Sequence, residues 1–293
     1  MQRPPKILSD FDGVWTNQGP EAAELDRWMA AALAELCAWP VTRVQEELAR
    51  FTEVMQQAPH DHGWAPDGRI SAYVDEDPLC RPSALCRLLE QSSDPQAAVM
   101  RDAVARGGFD CMATFAEQCF RQGTAAFRLE HPPCIVEGAK SMLEQLLALG
   151  AEVVIVSNSE TEKIVDWLRA AGIDAGDDPS ASVRVRGSAA KWKLGSTDET
   201  LHVAGRPIYV DRPRYRETIA AENPDLIIGD VFSLDLALPH VMRTAGNPTA
   251  PRKLVLRRHP HTPKWILDDR AHGAIDHVVD QVGDLAEIVR SLG

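Results

Sequence analysis

Residues 6–14, KILSDFDGV, decide how this chain folds. The first four residues form a short apolar run with the character of a buried β-strand, and the glycine after the acidic residues lets the backbone turn sharply. The sequence therefore predicts that Asp10 and Asp12 lie at the carboxyl end of a strand. Because side chains alternate along an extended segment, we expect Phe11, between the two carboxylates, to point into the core.

Strands and helices alternate through the second half of the chain. Apolar runs predict strands at residues 153–156, 183–185, 207–210, 226–228, 254–256 and 275–279. Helical spacing predicts helices at residues 137–149, 161–171 and 282–292, and the first two are each followed by a glycine. This alternation favours an α/β fold with a doubly wound, mostly parallel, Rossmann-like sheet.

A long block with helical periodicity separates the first strand from this α/β region. Its predicted helices cover residues 21–38, 41–57, 82–91, 95–105 and 109–125. We therefore predict a core domain made of residues 1–17 and 131–293, with an all-helical domain of residues 18–130 inserted into it.

The formal charge of -12 argues against nucleic acid and anionic membrane surfaces as partners, since both attract basic proteins. No apolar run reaches the roughly 18 residues of a membrane span, and the first residues lack the apolar stretch of a signal peptide. These features predict a cytoplasmic protein. The cysteines form no C-x-x-C pair, so we expect free thiols that pack as small apolar side chains.

Polar residues follow three of the predicted strands. Asp10 and Asp12 follow the first, residues 157–159 (SNS) follow the second, and Asp230 with Asp235 follows strand 226–228. The carboxyl ends of parallel strands meet at one edge of a sheet, where ligands bind. Carboxylates gathered there repel one another unless a cation neutralises them, and hard oxygen ligands of this kind suit Mg²⁺.

These residues, in this order, resemble the four motifs of the haloacid dehalogenase (HAD) superfamily. The matching elements are DFDGV at residues 10–14, Ser157-Asn158, a downstream lysine, and Gly229-Asp230 with Asp235. The resemblance covers residues 6–17 and 131–293. The position of the helical insertion, between the first and second motifs, resembles the C1-type cap of that superfamily.

The resemblance implies a role for each residue of the motifs. Asp10 would attack phosphorus to give an aspartyl-phosphate, and Asp12 would protonate the leaving oxygen and then activate water. Ser157 would bind the transferring phosphoryl group by a hydrogen bond. Asn158 would orient neighbouring groups and help bind the substrate.

The resemblance also implies Mg²⁺ as the cofactor. Asp10, Asp230 and the backbone carbonyl of Asp12 would be its protein ligands, while Asp235 would act mainly by supporting the groups around it.

The cation that contacts the phosphoryl group has several candidates. Lys191 is the first choice, because a compact ammonium suits a phosphoryl oxygen, and Lys193 is close by. Arg212 and Arg214 begin the helix that precedes strand 226–228, which is where the superfamily usually places its basic residue. Alanine substitution of each residue would decide among the four.

The implied function is that of a Mg²⁺-dependent phosphomonoester hydrolase acting on a small phosphorylated metabolite. A phosphomutase uses the same carboxylate pair and remains an alternative, as does a non-catalytic binding protein. Asp12 argues against dehalogenation and phosphonate hydrolysis, since dehalogenation has no leaving oxygen to protonate and the resembling phosphonatases usually lack this carboxylate. Substrate selection is expected in the helical cap, where residues 63–77, in the loop of residues 60–77, are candidates for contacting the leaving group of the substrate.

Three further features have simpler interpretations. The histidines of residues 60–62 (HDH) lie in a Pro/Gly-rich stretch and are interpreted as part of a solvated loop rather than a metal site. The basic run of residues 257–261 (RRHPH) is interpreted as a solvated segment. Trp15 is expected to pack in the core or at the hinge to the cap.

Overall fold

The structure of the protein is a computed structural model, and it describes residues 3–268 and 273–292. The chain divides into two compact units. Met1–Asn17 and Pro133–Gly293 form the core unit, and Gln18–Pro132 form the inserted unit.

The strands in the described residues are β1 (Lys6–Ser9), β2 (Gly63–Trp64), β3 (Ala72–Tyr73), β4 (Glu152–Val156), β5 (Ala175–Gly176), β6 (Val183–Arg186), β7 (Thr200–Val203), β8 (Arg206–Tyr209), β9 (Leu226–Gly229), β10 (Lys253–Arg257) and β11 (His277–Val279). Seven of them form the sheet of the core unit, in the order β11-β10-β9-β1-β4-β6-β5, and every neighbouring pair is parallel. The predicted α/β fold with a parallel sheet is confirmed.

The helices account for most of the remaining described residues. They are α1 (Gly19–Cys37), α2 (Val41–Gln57), α3 (Arg81–Gln91), α4 (Pro95–Arg106), α5 (Met112–Glu130), α6 (Ala139–Ala148), α7 (Thr161–Ala170), α8 (Pro213–Glu222), α9 (Ala237–Thr244), α10 (Lys264–Leu267) and α11 (Leu285–Arg290). Gly150 and Gly172 follow α6 and α7 in the left-handed conformation that commonly ends a helix. The predicted last helix begins with a separate 3-10 turn, Val282–Asp284.

The central strands are buried on both faces, which explains their unbroken apolar runs. Ile7 and Leu8 of β1, Val154 of β4 and Ile228 of β9 are at most 1% exposed. Neighbouring side chains on such a strand point to opposite faces, and helices cover both faces of a doubly wound sheet. The core of this unit therefore lies on both sides of the sheet around β1.

The strand order reverses at β1. The chain places β4, β5 and β6 on one side of β1, then crosses to place β9, β10 and β11 on the other. In open parallel sheets such a switch point opens a crevice beyond the carboxyl ends of the strands. The segments that follow β1, β4 and β9 consequently meet at the same edge.

The segment predicted as strand 207–210 does not join this sheet, so that prediction is corrected. It forms β8, which pairs antiparallel with β7 in a separate two-stranded hairpin. Ala204 and Gly205, which join the two strands, both have positive φ angles, and a two-residue turn of this kind folds the chain back on itself.

The inserted unit is mainly helical, as predicted, and the five predicted helices are confirmed as α1 to α5. Their apolar faces form one buried cluster that includes Met29, Leu33, Phe51, Leu89 and Phe115. The unit is not purely helical, because β2 and β3 form a short antiparallel hairpin. In the adjoining 60–62 stretch the side chains of His60 and Asp61 are more than half exposed, as expected for a solvated loop.

All six cysteines are free thiols, as expected. Cys80, Cys86 and Cys119 are buried, whereas Cys111 and Cys134 are exposed. Among the described residues, no helix is both long and apolar enough to cross a membrane.

Candidate active site

The turn that carries Asp10 and Asp12 continues the central strand. The backbone N–H of Asp10 donates to the carbonyl of Ile228 at 2.9 Å, which ties the end of β1 to β9. Phe11 is fully buried, as predicted, and its ring meets Trp167 edge to face. The alternation of side chains thus leaves Asp10 and Asp12 on the side away from this packing.

Trp15 packs beneath the same turn, as the core interpretation predicted. Its side chain is fully buried, and its indole N–H donates to the Ser9 hydroxyl at 2.7 Å. That hydroxyl in turn donates to the backbone carbonyl of Asp10, also at 2.7 Å. The indole therefore supports the backbone from which the Asp10 side chain projects.

Lys191 is the cation nearest to Asp10 among the four candidates. Its ammonium lies 2.9 Å from Oδ1 of Asp10 and 2.5 Å from Oδ1 of Asp235. The Lys191 side chain is only 2% exposed, so these contacts are shielded from water. Lys193 and Arg214 are exposed.

The backbone of residues 187–191, here called the lysine loop, is held by the segment that follows β4. The N–H groups of Ser188 and Ala189 donate to the carbonyls of Ser159 and Ser157 at 2.8 and 2.9 Å. The N–H of Lys191 donates to the side-chain oxygen of Asn158 at 2.8 Å. Asn158 therefore orients the backbone of Lys191, as predicted for neighbouring groups. A contact between Asn158 and the substrate stays a prediction.

Two residues of the lysine loop adopt a backbone conformation that L-amino acids disfavour. Ser188 and Ala190 have φ angles of 51° and 49°. Such left-handed residues cost about 1 kcal/mol or more each, and they persist where surrounding contacts hold them. The hydrogen bonds to the segment after β4 provide that restraint.

Arg212, another of the candidates, supports Lys191 instead of contacting Asp10. It is fully buried, and its guanidinium donates to the carbonyl of Lys191 at 2.6 Å and to that of Tyr209 at 3.2 Å. The N–H, the carbonyl and the ammonium of Lys191 thus each have a defined partner.

Asp10, Asp230 and Asp235 form an acidic cluster in which one oxygen of each lies within 4.8 Å of the others. Two glycines make the close approach possible. A Cβ atom on Gly13 would overlap the carboxylate of Asp230, and one on Gly229 would overlap that of Asp235. Asp235 lies in a π-helical turn, Phe232–Leu236, a feature that is frequent at functional sites.

The donor set of this cluster fits a hard divalent cation such as Mg²⁺. Three carboxylates in one small space need more positive charge than the Lys191 ammonium alone supplies. Both oxygens of Asp235 already accept hydrogen bonds, Oδ1 from Lys191 and Oδ2 from the N–H of Val231 at 3.1 Å. Asp10 and Asp230 are therefore the side chains best suited to bind the ion, and the part of the Asp12 carbonyl stays a prediction.

The Asp12 carboxylate faces the segment after β4. One oxygen accepts hydrogen bonds from the hydroxyls of Ser159 at 2.7 Å and Ser157 at 3.2 Å. The other lies 2.9 Å from the ammonium of Lys163. Neither Lys163 nor Ser159 has a role in the sequence motifs, although both lie within a few residues of the end of β4.

The two carboxylates of the turn differ in their electrostatics. Burial is the main cause that raises the pKa of Asp10 to about 7; Lys191 opposes the increase, while Asp235 and Asp12 add to it. Burial also acts to raise the pKa of Asp12, but the Lys163 ammonium and hydrogen bonds from the two serines outweigh it, so this pKa lies below its ordinary value. A bound cation would favour the ionised form of Asp10, which is the form that can act as a nucleophile.

His259 also reaches this site, which corrects part of the interpretation of residues 257–261 as a solvated segment. Its side chain is 16% exposed, its Nε2 donates to the carbonyl of Gly13 at 2.8 Å, and Nε2 lies 3.6 Å from Asp230. Burial, followed by the neighbouring His261 and Arg257, lowers the pKa of His259 to about 4. The neutral ring therefore ties the end of β10 to the turn after β1.

No protein-family model matches the sequence, and no curated protein matches it. Solved structures with a similar fold include the 2-haloacid dehalogenase of Pseudomonas syringae pv. Tomato (16% identity, covering 99% of this chain and 100% of that one, TM-score 0.45). A haloacid dehalogenase-like family hydrolase of Streptococcus pneumoniae shares 11% identity (98% and 99% covered, TM-score 0.47). CbbY of Rhodobacter sphaeroides, in complex with phosphate, shares 13% identity (96% of each chain covered, TM-score 0.47).

The chain is an α/β protein with an acidic cluster and a buried lysine at the carboxyl edge of its parallel sheet. Residues of the motifs quoted from the sequence therefore meet at one edge of the sheet. The C1 type of the inserted unit stays a prediction.

Proposed function

We propose that this protein is a Mg²⁺-dependent phosphomonoester hydrolase that works through an aspartyl-phosphate on Asp10. The observation that carries the proposal is the surroundings of Asp10. Its carboxylate contacts the buried ammonium of Lys191 and belongs to the acidic cluster with Asp230, while the second carboxylate of the turn, Asp12, is held apart by its own donors. This separation suits one carboxylate for attack and the other for proton transfer.

In the first step, a carboxylate oxygen of Asp10 attacks phosphorus, and the bond from phosphorus to the leaving oxygen breaks. The leaving oxygen takes the proton of Asp12 and departs as an alcohol. Lys191 stabilises the negative charge of the transferring group, and Ser157 contributes a hydroxyl donor. The product on the enzyme is an aspartyl-phosphate on Asp10, and Asp12 is left as a carboxylate.

In the second step, water attacks phosphorus and gives a proton to Asp12. The bond between phosphorus and the Asp10 oxygen breaks, which releases inorganic phosphate and restores the Asp10 carboxylate. Asp12 thereby recovers the proton that it gave to the leaving oxygen in the first step. The same residue therefore acts first as an acid and then as a base.

Asp10, Asp230 and the Asp12 carbonyl are the groups proposed to hold Mg²⁺. When bound, the ion would neutralise charge on the carboxylates and on the phosphoryl oxygens.

The proposed substrate is a small phosphorylated metabolite. The side chains of Asp10 and Asp12 are only 12% and 13% exposed, so the reacting phosphorus must come deep into the protein. We therefore expect little activity on a phosphate at the surface of a folded phosphoprotein. Strong activity on such a phosphoprotein would contradict this part of the proposal.

The test is a screen of phosphorylated metabolites in the presence and absence of MgCl₂, with release of inorganic phosphate as the readout. The wild type and Asp10→Asn are compared, and Asp61→Asn, which changes an exposed carboxylate of the inserted unit, is the matched control. We expect Mg²⁺-dependent hydrolysis by the wild type and Asp61→Asn, and none by Asp10→Asn. If Asp10→Asn retained full activity, the assigned nucleophile would be wrong.

A further inference from the structure

Lys163 forms the closest cationic contact of the Asp12 carboxylate, and the sequence motifs assign it no role. Its ammonium lies 2.9 Å from Oδ1 of Asp12 and 3.1 Å from the hydroxyl of Ser159. The Lys163 side chain is 3% exposed and passes the ring of Trp167, with its ammonium 5.4 Å from the ring centroid. It is a buried cation directed at one carboxylate.

The location of Lys163 does not favour helix α7, to which it belongs. It is the third residue of α7, and a positive charge in the first turn of a helix opposes the helix dipole. Burial of an ammonium also costs free energy unless a partner offsets it. The partner here is Asp12, so the contact with Asp12 accounts for the position of the lysine better than helix stability does.

The contact restrains Asp12 in a particular way. Lys163 holds Oδ1, while Ser159 and Ser157 donate to Oδ2, so donors act on both oxygens of the carboxylate. Rotation of the carboxylate about its Cβ–Cγ bond would break contacts on both sides. The group is therefore held in one orientation while it carries a negative charge.

The two buried lysines thus contact different carboxylates of the site. Lys191 contacts Asp10 and Asp235, and Lys163 contacts Asp12. In the proposed reaction these carboxylates act at different times, since Asp12 serves as a base only after it has protonated the leaving oxygen. The aspartyl-phosphate is the state in which an oriented Asp12 carboxylate is required.

We propose that Lys163 is a positioning residue that holds Asp12 for the hydrolysis of the aspartyl-phosphate. This inference rests on the proposed function, and it assigns Lys163 to the second step of that reaction. Lys163 touches neither phosphorus nor water. It keeps the Asp12 oxygen in place to accept the proton of the attacking water, while phosphorus is transferred from Asp10 to that water.

The experiment compares Lys163→Met, Lys163→Arg and the wild type, with p-nitrophenyl phosphate and MgCl₂ as the probe. Glu162→Gln is the matched control, because it changes an exposed neighbouring charge in the same helical turn. Four quantities are measured for each protein: kcat, KM, the fraction of enzyme trapped as phosphoenzyme by acid quench during turnover, and the melting temperature.

For Lys163→Met we expect kcat to fall about 10- to 100-fold, because small misplacements of a catalytic group have effects of this size. The phosphoenzyme fraction should rise toward full occupancy, and KM should not increase, since a slow second step traps the intermediate. Lys163→Arg should recover a large part of kcat, and Glu162→Gln should match the wild type.

A Lys163→Met enzyme with unchanged kcat and phosphoenzyme fraction would overturn the inference. A fall in kcat with a falling phosphoenzyme fraction would also overturn it, because the defect would then lie in the first step or in folding. If Lys163→Met does not fold, Lys163→Gln is measured in its place with the same expected results, since it removes the charge from Oδ1 of Asp12 and keeps a polar side chain. Failure of the wild type to form any phosphoenzyme would refute the proposed function itself, before any variant is measured.

Discussion

Replacing Lys191 with methionine tests the central feature of the site. Methionine keeps most of the length and apolar volume of the lysine side chain but removes the charge. In the wild type the ammonium lies between Oδ1 of Asp10 at 2.9 Å and Oδ1 of Asp235 at 2.5 Å. Lys191→Met would leave these buried carboxylates without their shared cation.

The magnitude follows from the geometry. Two unit charges about 4 Å apart attract by about 4 kcal/mol at the effective dielectric constant of about 20 that describes most protein sites, and both contacts of Lys191 are shorter. Loss of one stabilising contact to a developing negative charge lowers kcat about 100- to 1,000-fold. We expect Lys191→Met to fall in that range, and to lose about 3 to 5 kcal/mol of unfolding free energy, because one partner of a buried ion pair is removed.

The assay compares kcat/KM for p-nitrophenyl phosphate and urea unfolding of Lys191→Met with those of Lys193→Met. Lys193 is exposed and only two residues away, so its variant should behave as the wild type does. Phosphoenzyme should accumulate poorly in Lys191→Met, in contrast to Lys163→Met. An almost fully active Lys191→Met, or a comparable loss in Lys193→Met, would refute the assignment of the catalytic cation.

Three further predictions concern groups around the site and the fold. Arg212→Met should lower kcat about 10-fold and destabilise the protein by about 2 to 4 kcal/mol in urea unfolding, because the carbonyls of Lys191 and Tyr209 lose a charged donor. Arg214 is exposed, so Arg214→Met should change neither kcat nor stability. Gly13→Ala should abolish Mg²⁺-dependent activity in a phosphate-release assay, since the added methyl would overlap Asp230. Burial acts to raise the pKa of Glu222, but hydrogen bonds from two arginines of β6 outweigh this and lower it. The resulting stability should be present above about pH 4.5, the ordinary range of a glutamate, and be lost as pH falls through the lower folded pKa. Melting curves of Glu222→Gln should lack that dependence.

Each of these predictions has a contradicting result. An unchanged Arg212→Met enzyme would show that the Lys191 backbone needs no support from the guanidinium. Full activity of Gly13→Ala would show that the turn can relax around a side chain. If Glu222→Gln lost stability on acidification as steeply as the wild type, other carboxylates would account for the loss of stability at low pH.

Local sequence was sufficient to predict the central strands of the core unit and the residues at their ends. The strand at residues 6–9 has an apolar centre, Ile7-Leu8, and the runs 153–156 and 226–228 are apolar without interruption, which is the pattern of strands buried on both faces. Asp10 and Ser157 follow their runs directly, and Asp230 follows its run after Gly229. In a parallel sheet, strand ends of this kind share one edge, so the sequence alone predicted which residues come together there.

Turn geometry was less accessible from the sequence. The run at residues 207–210 has the composition of a sheet strand, but the left-handed residues Ala204 and Gly205 reverse the chain just before it. The hairpin therefore lies outside the main sheet. Periodicity describes which face of a segment is apolar and carries no information about the partner of that segment.

The tertiary structure decided which charges act on which carboxylates. Lys191 and Arg212 were both candidates in the sequence, and only the path of the lysine loop brings the first to Asp10 and the second to the carbonyl of Lys191. Lys163 and His259 reach the same edge from α7 and from the end of β10. The position of Asp10 and Asp12 is determined by the local sequence, because a strand and a glycine place them at a turn. The cations that contact these carboxylates are determined by folding, because long side chains from distant segments meet them only when the sheet is assembled.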